Sequence, residues 1–69
     1  MNISARNSFR GTVTKVVIGA VNTEISLEIA PGIEIVSVVT KTSAEELGLA
    51  EGKEAYAVIQ ASDVIVVTD

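Results

Sequence analysis

From Val21 to Ile29 the odd-numbered residues are Val21, Thr23, Ile25, Leu27 and Ile29, while Asn22, Glu24, Ser26 and Glu28 fill the even places. A period of two marks a β-strand with one dry and one wet face, and no helix can bury that pattern. The stretch before it, Ser8 to Val17, alternates less cleanly. Phe9, Val13 and Val17 fall on one face and Arg10, Thr12 and Thr14 on the other, until Ile18-Gly19-Ala20 interrupts. A turn or bulge at Gly19 then joins two antiparallel strands. The "APG" of residues 30–32 is a second turn signal, because Pro31 fixes φ and Gly32 is free to take the positive φ of a type II turn.

Residues 33–40, "IEIVSVVT", predict a third strand with apolar side chains on both faces: Ile33, Ile35 and Val39 on one, Val36 and Val38 on the other. Such a strand is covered on both sides, by its own barrel or by a neighbouring subunit. In "TSAEELG", Thr42 and Ser43 are each followed three residues later by a glutamate, Glu45 and Glu46, and Gly48 closes the run. This is a capping box in two registers ahead of one short helix. After the polar turn "EGKE" at 51–54 come two more β segments, "AYAVIQ" and "DVIVV", separated by "ASD". The chain therefore reads as all-β with one short helix, a single domain over residues 1–69 in the element order of an OB-like five-stranded β-barrel. Closure of the sheet hides the edges that so many β-branched residues would otherwise expose.

Composition sharpens this reading. The chain has 69 residues, no Cys and no His, so neither disulfides nor thiolate or imidazole metal sites can staple it. Its apolar fraction is 48%, with Phe9 and Tyr56 the only aromatic residues. A lone domain this small cannot hide that much aliphatic surface, which predicts oligomers. The net charge of −4, with 5 Lys plus Arg, argues against nucleic acid, whose binding needs clustered cations. No signal-peptide pattern opens the chain, and the apolar run Val16–Val21 is too short to cross a bilayer. These features predict a soluble, cytoplasmic protein without a membrane partner.

The acid–base inventory is carboxylates, lysines and Tyr56. Glu24 and Glu28 lie on a wet strand face, Glu45 and Glu46 in the helix cap, and Glu51 and Glu54 in a turn, which describes a solvated acidic surface rather than a catalytic pair. Gly19, Gly32, Gly48 and Gly52 stand alone at turns, so no phosphate loop forms. The chain is read as no enzyme. What remains is a set of small neutral donors around Arg6: Ser4, Asn7, Thr40, Lys41, Thr42, Ser43, Gln60 and Ser62. Taken singly, Ser4, Arg6 and Asn7 read as a hydrated lead, and Thr42 and Ser43 as caps. Taken together, one arginine with hydroxyls and free amides suits a compact oxyanion, provided the first segment and residues 40–43 meet within or across subunits.

"ISARN" at 3–7, the strand after it, and "TKTSAEELGLAEGKEAYAVIQASDV" at 40–64 together resemble the Mop family, the small molybdate-binding or molbindin proteins of bacteria. Their domain also ends molybdate-responsive regulators and molybdate-transporter ATPases. The resemblance implies an OB-like protomer, strand exchange in dimers, and a homo-hexamer built as a trimer of dimers with molybdate or tungstate at the subunit interfaces. It implies that Ser4, Arg6, Thr40 and Ser43 contact the anion, that Asn7 belongs to the same motif, and that Gln60, Ala61 and Ser62 form the last piece of the pocket. It implies a second, weaker oxyanion site at Gly19, Ala20, Val21 and Asn22, and no direct metal-cation ligand or catalytic cofactor.

One departure concerns charge. Many members carry Lys where this chain has Gln60, so Arg6 is the principal cation unless Lys41 or Lys53 reaches the pocket. The function implied is molybdate or tungstate binding, storage and homeostasis. The alternatives are a regulatory or structural interaction module, which the aliphatic strand faces would serve, and molybdopterin-cofactor binding, against which the scarcity of aromatic rings counts.

Overall fold

In the computed structural model, which describes residues 6–69, the strands are β1 (Asn7–Ile18), β2 (Asn22–Ala30), β3 (Ile33–Thr40) and β4 (Glu54–Ile59). Helix α1 (Lys41–Leu47) lies between β3 and β4, and a 3-10 turn, Ala61–Asp63, follows β4. The four strands form one antiparallel sheet in the order β3-β2-β1-β4. β1 is long enough to serve two neighbours: residues 7–12 pair with β4 and residues 12–18 with β2. The sheet curls into a half-barrel around that shared strand.

The alternation in β2 holds except at Ser26: Thr23, Ile25 and Leu27 are buried and Asn22, Glu24 and Glu28 exposed, but Ser26, expected on the wet face, is buried as well. Of the inward set expected in β1, Phe9, Val13 and Val17, only Val13 is buried: Phe9 is exposed on the segment paired with β4, and the faces exchange beyond Val13. An extra residue, Thr14, sits between the pairs Val13↔Leu27 and Lys15↔Ser26. A one-residue bulge exchanges the two faces of everything beyond it, so Val16 turns inward and Val17 outward. Gly11 is required for the same reason that β1 is shared. A Cβ there would lie 2.5 Å from the Glu28 carbonyl oxygen, so only glycine lets the two backbones approach.

The predicted Pro31-Gly32 turn forms, with Ala30 paired to Ile33 and Gly32 at φ +77°. The helix, in contrast, starts earlier than the glutamate spacing predicts. Its N-cap is Thr40, not Thr42 or Ser43, and Thr40 Oγ1 accepts the Ser43 amide at 3.0 Å. At the other end, Gly48 adopts the left-handed conformation, its amide bonding Glu45 O and the Leu49 amide bonding Ala44 O. That double closure is a Schellman motif.

Val13, Ile25 and Leu27 form the core, with Val16, Ile29, Val39, Leu49, Ala55 and Ala57 packed around them. Two expectations fail in the single chain. The second face of β3 is uncovered, with Val36 and Val38 exposed. The predicted fifth strand at 63–67 joins no ladder, and Ile65, Val66 and Val67 are each more than four-fifths exposed. The sheet is four-stranded and open, because β3 and β4 are its two edges and no strand among the described residues bridges them.

Candidate functional site

The register of β1 decides which predicted donors meet. Arg6 immediately precedes Asn7, which pairs with Ile59 and donates from its side-chain amide to the Ile59 carbonyl at 3.2 Å. Gln60, Ala61 and Ser62 follow Ile59 directly, with the Gln60 carbonyl accepting the Asp63 amide at 2.9 Å. One group is therefore Arg6, Asn7, Gln60, Ala61 and Ser62, with the Arg6, Gln60, Ala61 and Ser62 side chains exposed. Ser4 lies outside the described residues.

The second group gathers at the far end of β1. Ile18 pairs with Thr23, Asn22 pairs with Thr40, and the Lys41 amide donates to Val21 O at 2.8 Å. Thr40 and Ser43 are joined side chain to side chain, the Thr40 hydroxyl donating to Ser43 Oγ at 2.8 Å. One bond between two hydroxyls uses one proton, so the pair keeps the other to donate outward. The Gly19–Asn22 turn, expected as a separate site, adjoins this group: Gly19 N donates to Asn22 O at 2.8 Å, and Asn22 faces Thr40 across the ladder. The spacing of residues along the sequence could not show this adjacency, which exists only once β2 and β3 pair.

Within one chain the two groups stand at opposite ends of β1, so the structure does not bring Arg6 to Thr40 and Ser43. This corrects the within-chain form of the sequence expectation and leaves the form in which two copies meet. The cations also sort themselves. Arg10 is ion-paired with Glu54 at 2.8 Å, and Lys53 donates to the Leu47 and Gly48 carbonyls at 2.9 and 3.2 Å. Lys53 thus neutralises the carboxyl end of α1 within its own chain.

Between the open edges runs an apolar trough of about 680 Å³, with Ile35 and Val39 of β3 on one side, Ala57 and Ile59 of β4 on the other, and Ile25 and Leu27 between them. A smaller cleft of about 110 Å³ lies where α1 meets β1 and β2, lined by Val16, Ile18, Thr23, Lys41 and Glu45 among others. Thr23 is buried there, and its hydroxyl has no hydrogen-bond partner among the described residues. No helix among the described residues is long and apolar enough to cross a membrane.

Residues 3–66 match the TOBE domain family. The molybdenum-pterin-binding protein 1 of Clostridium pasteurianum is 46% identical over 66 residues, covering 96% of this chain and 97% of that protein. The molybdenum-pterin-binding protein MopA of Rhodobacter capsulatus is 48% identical over 65 residues, 94% of this chain, but the match spans only 24% of MopA. Among solved structures, MopII from Clostridium pasteurianum in an apo form superposes with a TM-score of 0.91 at 43% identity, over 97% of this chain and 100% of that one. The cytoplasmic molybdate-binding protein ModG, with molybdate bound, superposes with a TM-score of 0.90 at 51% identity, over 94% of this chain and 46% of ModG. A half-barrel of the same shape, matched from end to end by the small Clostridium proteins, shows that this chain belongs to the TOBE-domain family, among the Mop molybdenum-pterin-binding proteins.

Proposed function

We propose that this chain binds molybdate or tungstate at interfaces between its own copies and serves as a cytoplasmic store of the oxyanion, without catalysis. The observation that carries the reading is 51% identity, across 94% of the chain, to a molybdate-binding protein of the same fold with molybdate bound. The split donor groups support the interfacial form. Arg6 and Ser62 at one end of β1 reach Thr40 and Ser43 at the other only if two copies pack together, with Ser4 joining through the motif it shares with Arg6. In that arrangement Arg6 supplies charge, and the hydroxyls and nearby amides give direction. The Gly19–Asn22 turn supplies a second, weaker site beside the first.

Surface area supports assembly. The chain exposes 5325 Å², whereas a compact monomer of 7.2 kDa exposes about 4100 Å². The difference is of the order that one partner covers in a stable interface, roughly 800 Å² or more. The exposed Val64–Val67 segment and the open trough are complementary in chemistry, so strands exchanged between copies close each barrel, and a trimer of such dimers makes the hexamer. A pterin would need a stacking platform, and the chain offers only Phe9 and Tyr56.

Calorimetric titration of the purified oligomer with molybdate tests the reading, with sulfate and phosphate as competitors and the mass fixed by light scattering in the same buffer. The expected result is saturable binding that excess sulfate does not displace, lowered in Arg6→Ala while that variant stays folded. Sulfate is smaller, so donors spaced for molybdate leave its hydrogen bonds long. Absence of heat with both molybdate and tungstate overturns the reading, and pterin fluorescence in the purified protein would replace it with the cofactor alternative.

A further inference from the structure

A dianion held by Arg6 alone is half neutralised, and Gln60 brings no charge to correct that. Of the other four cations of the chain, two are already engaged, Arg10 by Glu54 and Lys53 by the Leu47 and Gly48 carbonyls. Lys15 lies at the β1 bulge, next to Ser26 in the ladder and away from both donor groups. Lys41 remains. It is exposed, and its ammonium makes no hydrogen bond or ion pair with any described residue. It also stands between Thr40 and Ser43, whose hydroxyls are already joined.

We propose that Lys41 is the second cation of the interfacial oxyanion pocket, replacing the charge that Gln60 lacks. This rests on the oxyanion reading given above. When two copies bring their donor groups together, Arg6 of one copy and Lys41 of the other flank the anion from opposite sides. The pocket then carries two positive charges against the two negative charges of molybdate. The backbone makes Lys41 dependable in position, because its amide is tied to Val21 O, while its side chain has no partner among the described residues. The nearest competing charge on its own element is Glu45, one turn along α1, which borders the same small cleft without forming an ion pair. An ammonium on a four-carbon stem is a point charge that can leave such a neighbour for a dianion.

The test is molybdate calorimetry on the assembled protein in four forms: unaltered, Lys41→Gln, Lys15→Gln, and the double variant Lys41→Gln/Gln60→Lys. Lys15→Gln changes the net charge by the same amount at a position outside the pocket. Loss of a charge-assisted contact predicts a drop of about tenfold in affinity for Lys41→Gln, and less than about twofold for Lys15→Gln, where only screened surface charge changes. Returning a lysine at 60 restores affinity in the double variant. Binding by the unaltered protein with no change in Lys41→Gln, or an equal drop in Lys15→Gln, overturns the assignment of Lys41 alone. Failure of the unaltered protein to bind molybdate or tungstate overturns the oxyanion reading and the role of Lys41 with it.

Discussion

The Thr40 hydroxyl donates to Ser43 Oγ at 2.8 Å while its oxygen accepts the Ser43 amide at 3.0 Å, so one side chain both caps α1 and orients the neighbouring hydroxyl. Thr40→Ala removes both interactions. Loss of an N-cap costs about 1 kcal/mol, and Ser43 loses its fixed direction, so stability and oxyanion affinity fall together. Thr40→Ser keeps the hydroxyl and preserves both. Urea midpoints and molybdate titrations of the two variants check this. A Thr40→Ala protein with undiminished affinity would show that the pair serves only the helix.

Thr23 is 1% exposed and its hydroxyl has no partner among the described residues. Valine has nearly the same shape without the unpaired group, so Thr23→Val is expected to raise stability by about 1 kcal/mol. Thermal unfolding at fixed protein concentration reads the sign directly, and a lower midpoint would mean that the hydroxyl does have a partner.

Two glycines fail for different reasons when replaced by alanine. At Gly11 the new Cβ meets the Glu28 carbonyl at 2.5 Å, and two paired strands must separate, which costs about 1–3 kcal/mol. At Gly32 nothing lies within 4 Å and only the positive φ is strained, which costs about 1–2 kcal/mol. Crystallography or amide exchange distinguishes the pair: the first shifts the β1–β2 ladder, the second leaves it in register.

The Arg10–Glu54 ion pair is short, 2.8 Å, but both side chains are more than half exposed. Solvent screening holds its worth below about 1 kcal/mol. Arg10→Ala is therefore expected to change the denaturation midpoint little at 0.15 M salt, and a larger loss would reveal that the pair is covered in the assembled protein.

Val66 tests the tail. In the single chain it is 84% exposed, so Val66→Asp has no buried contact to lose there. If the tail fills the trough of another copy, the buried carboxylate is costly and the assembly dissociates. Light scattering should show a smaller species, and an unchanged mass would remove the tail from the interface.

The parts of the fold that were legible in the sequence are those set by neighbours along the chain. The alternation in β2, the Pro31-Gly32 turn and the stop at Gly48 follow from side-chain period and local φ preference. The bulge at Thr14 was not legible, because Val17 is as apolar as Val16 and only the pairing of Lys15 with Ser26 shows which of them turns inward. The helix start is not legible for a related reason: Thr40, Thr42 and Ser43 all have capping side chains, and it is the end of the β3 ladder that gives the cap to Thr40.

The candidate site divides along the same line. Sequence alone supplied its chemistry: one arginine, a set of hydroxyls, no imidazole or thiol, and too few cations for a polyanion. Tertiary structure decided where those groups stand, because distances between segments depend on strand register and on nothing local. By running β1 between β4 and β2, the fold holds Arg6 and Gln60 at one end and Thr40, Lys41 and Ser43 at the other. It engages Lys53 at the end of α1 and leaves the Lys41 ammonium without a partner among the described residues. An open trough and an exposed apolar tail then remain in each copy, since a sheet with two unpaired edges cannot cover both by itself.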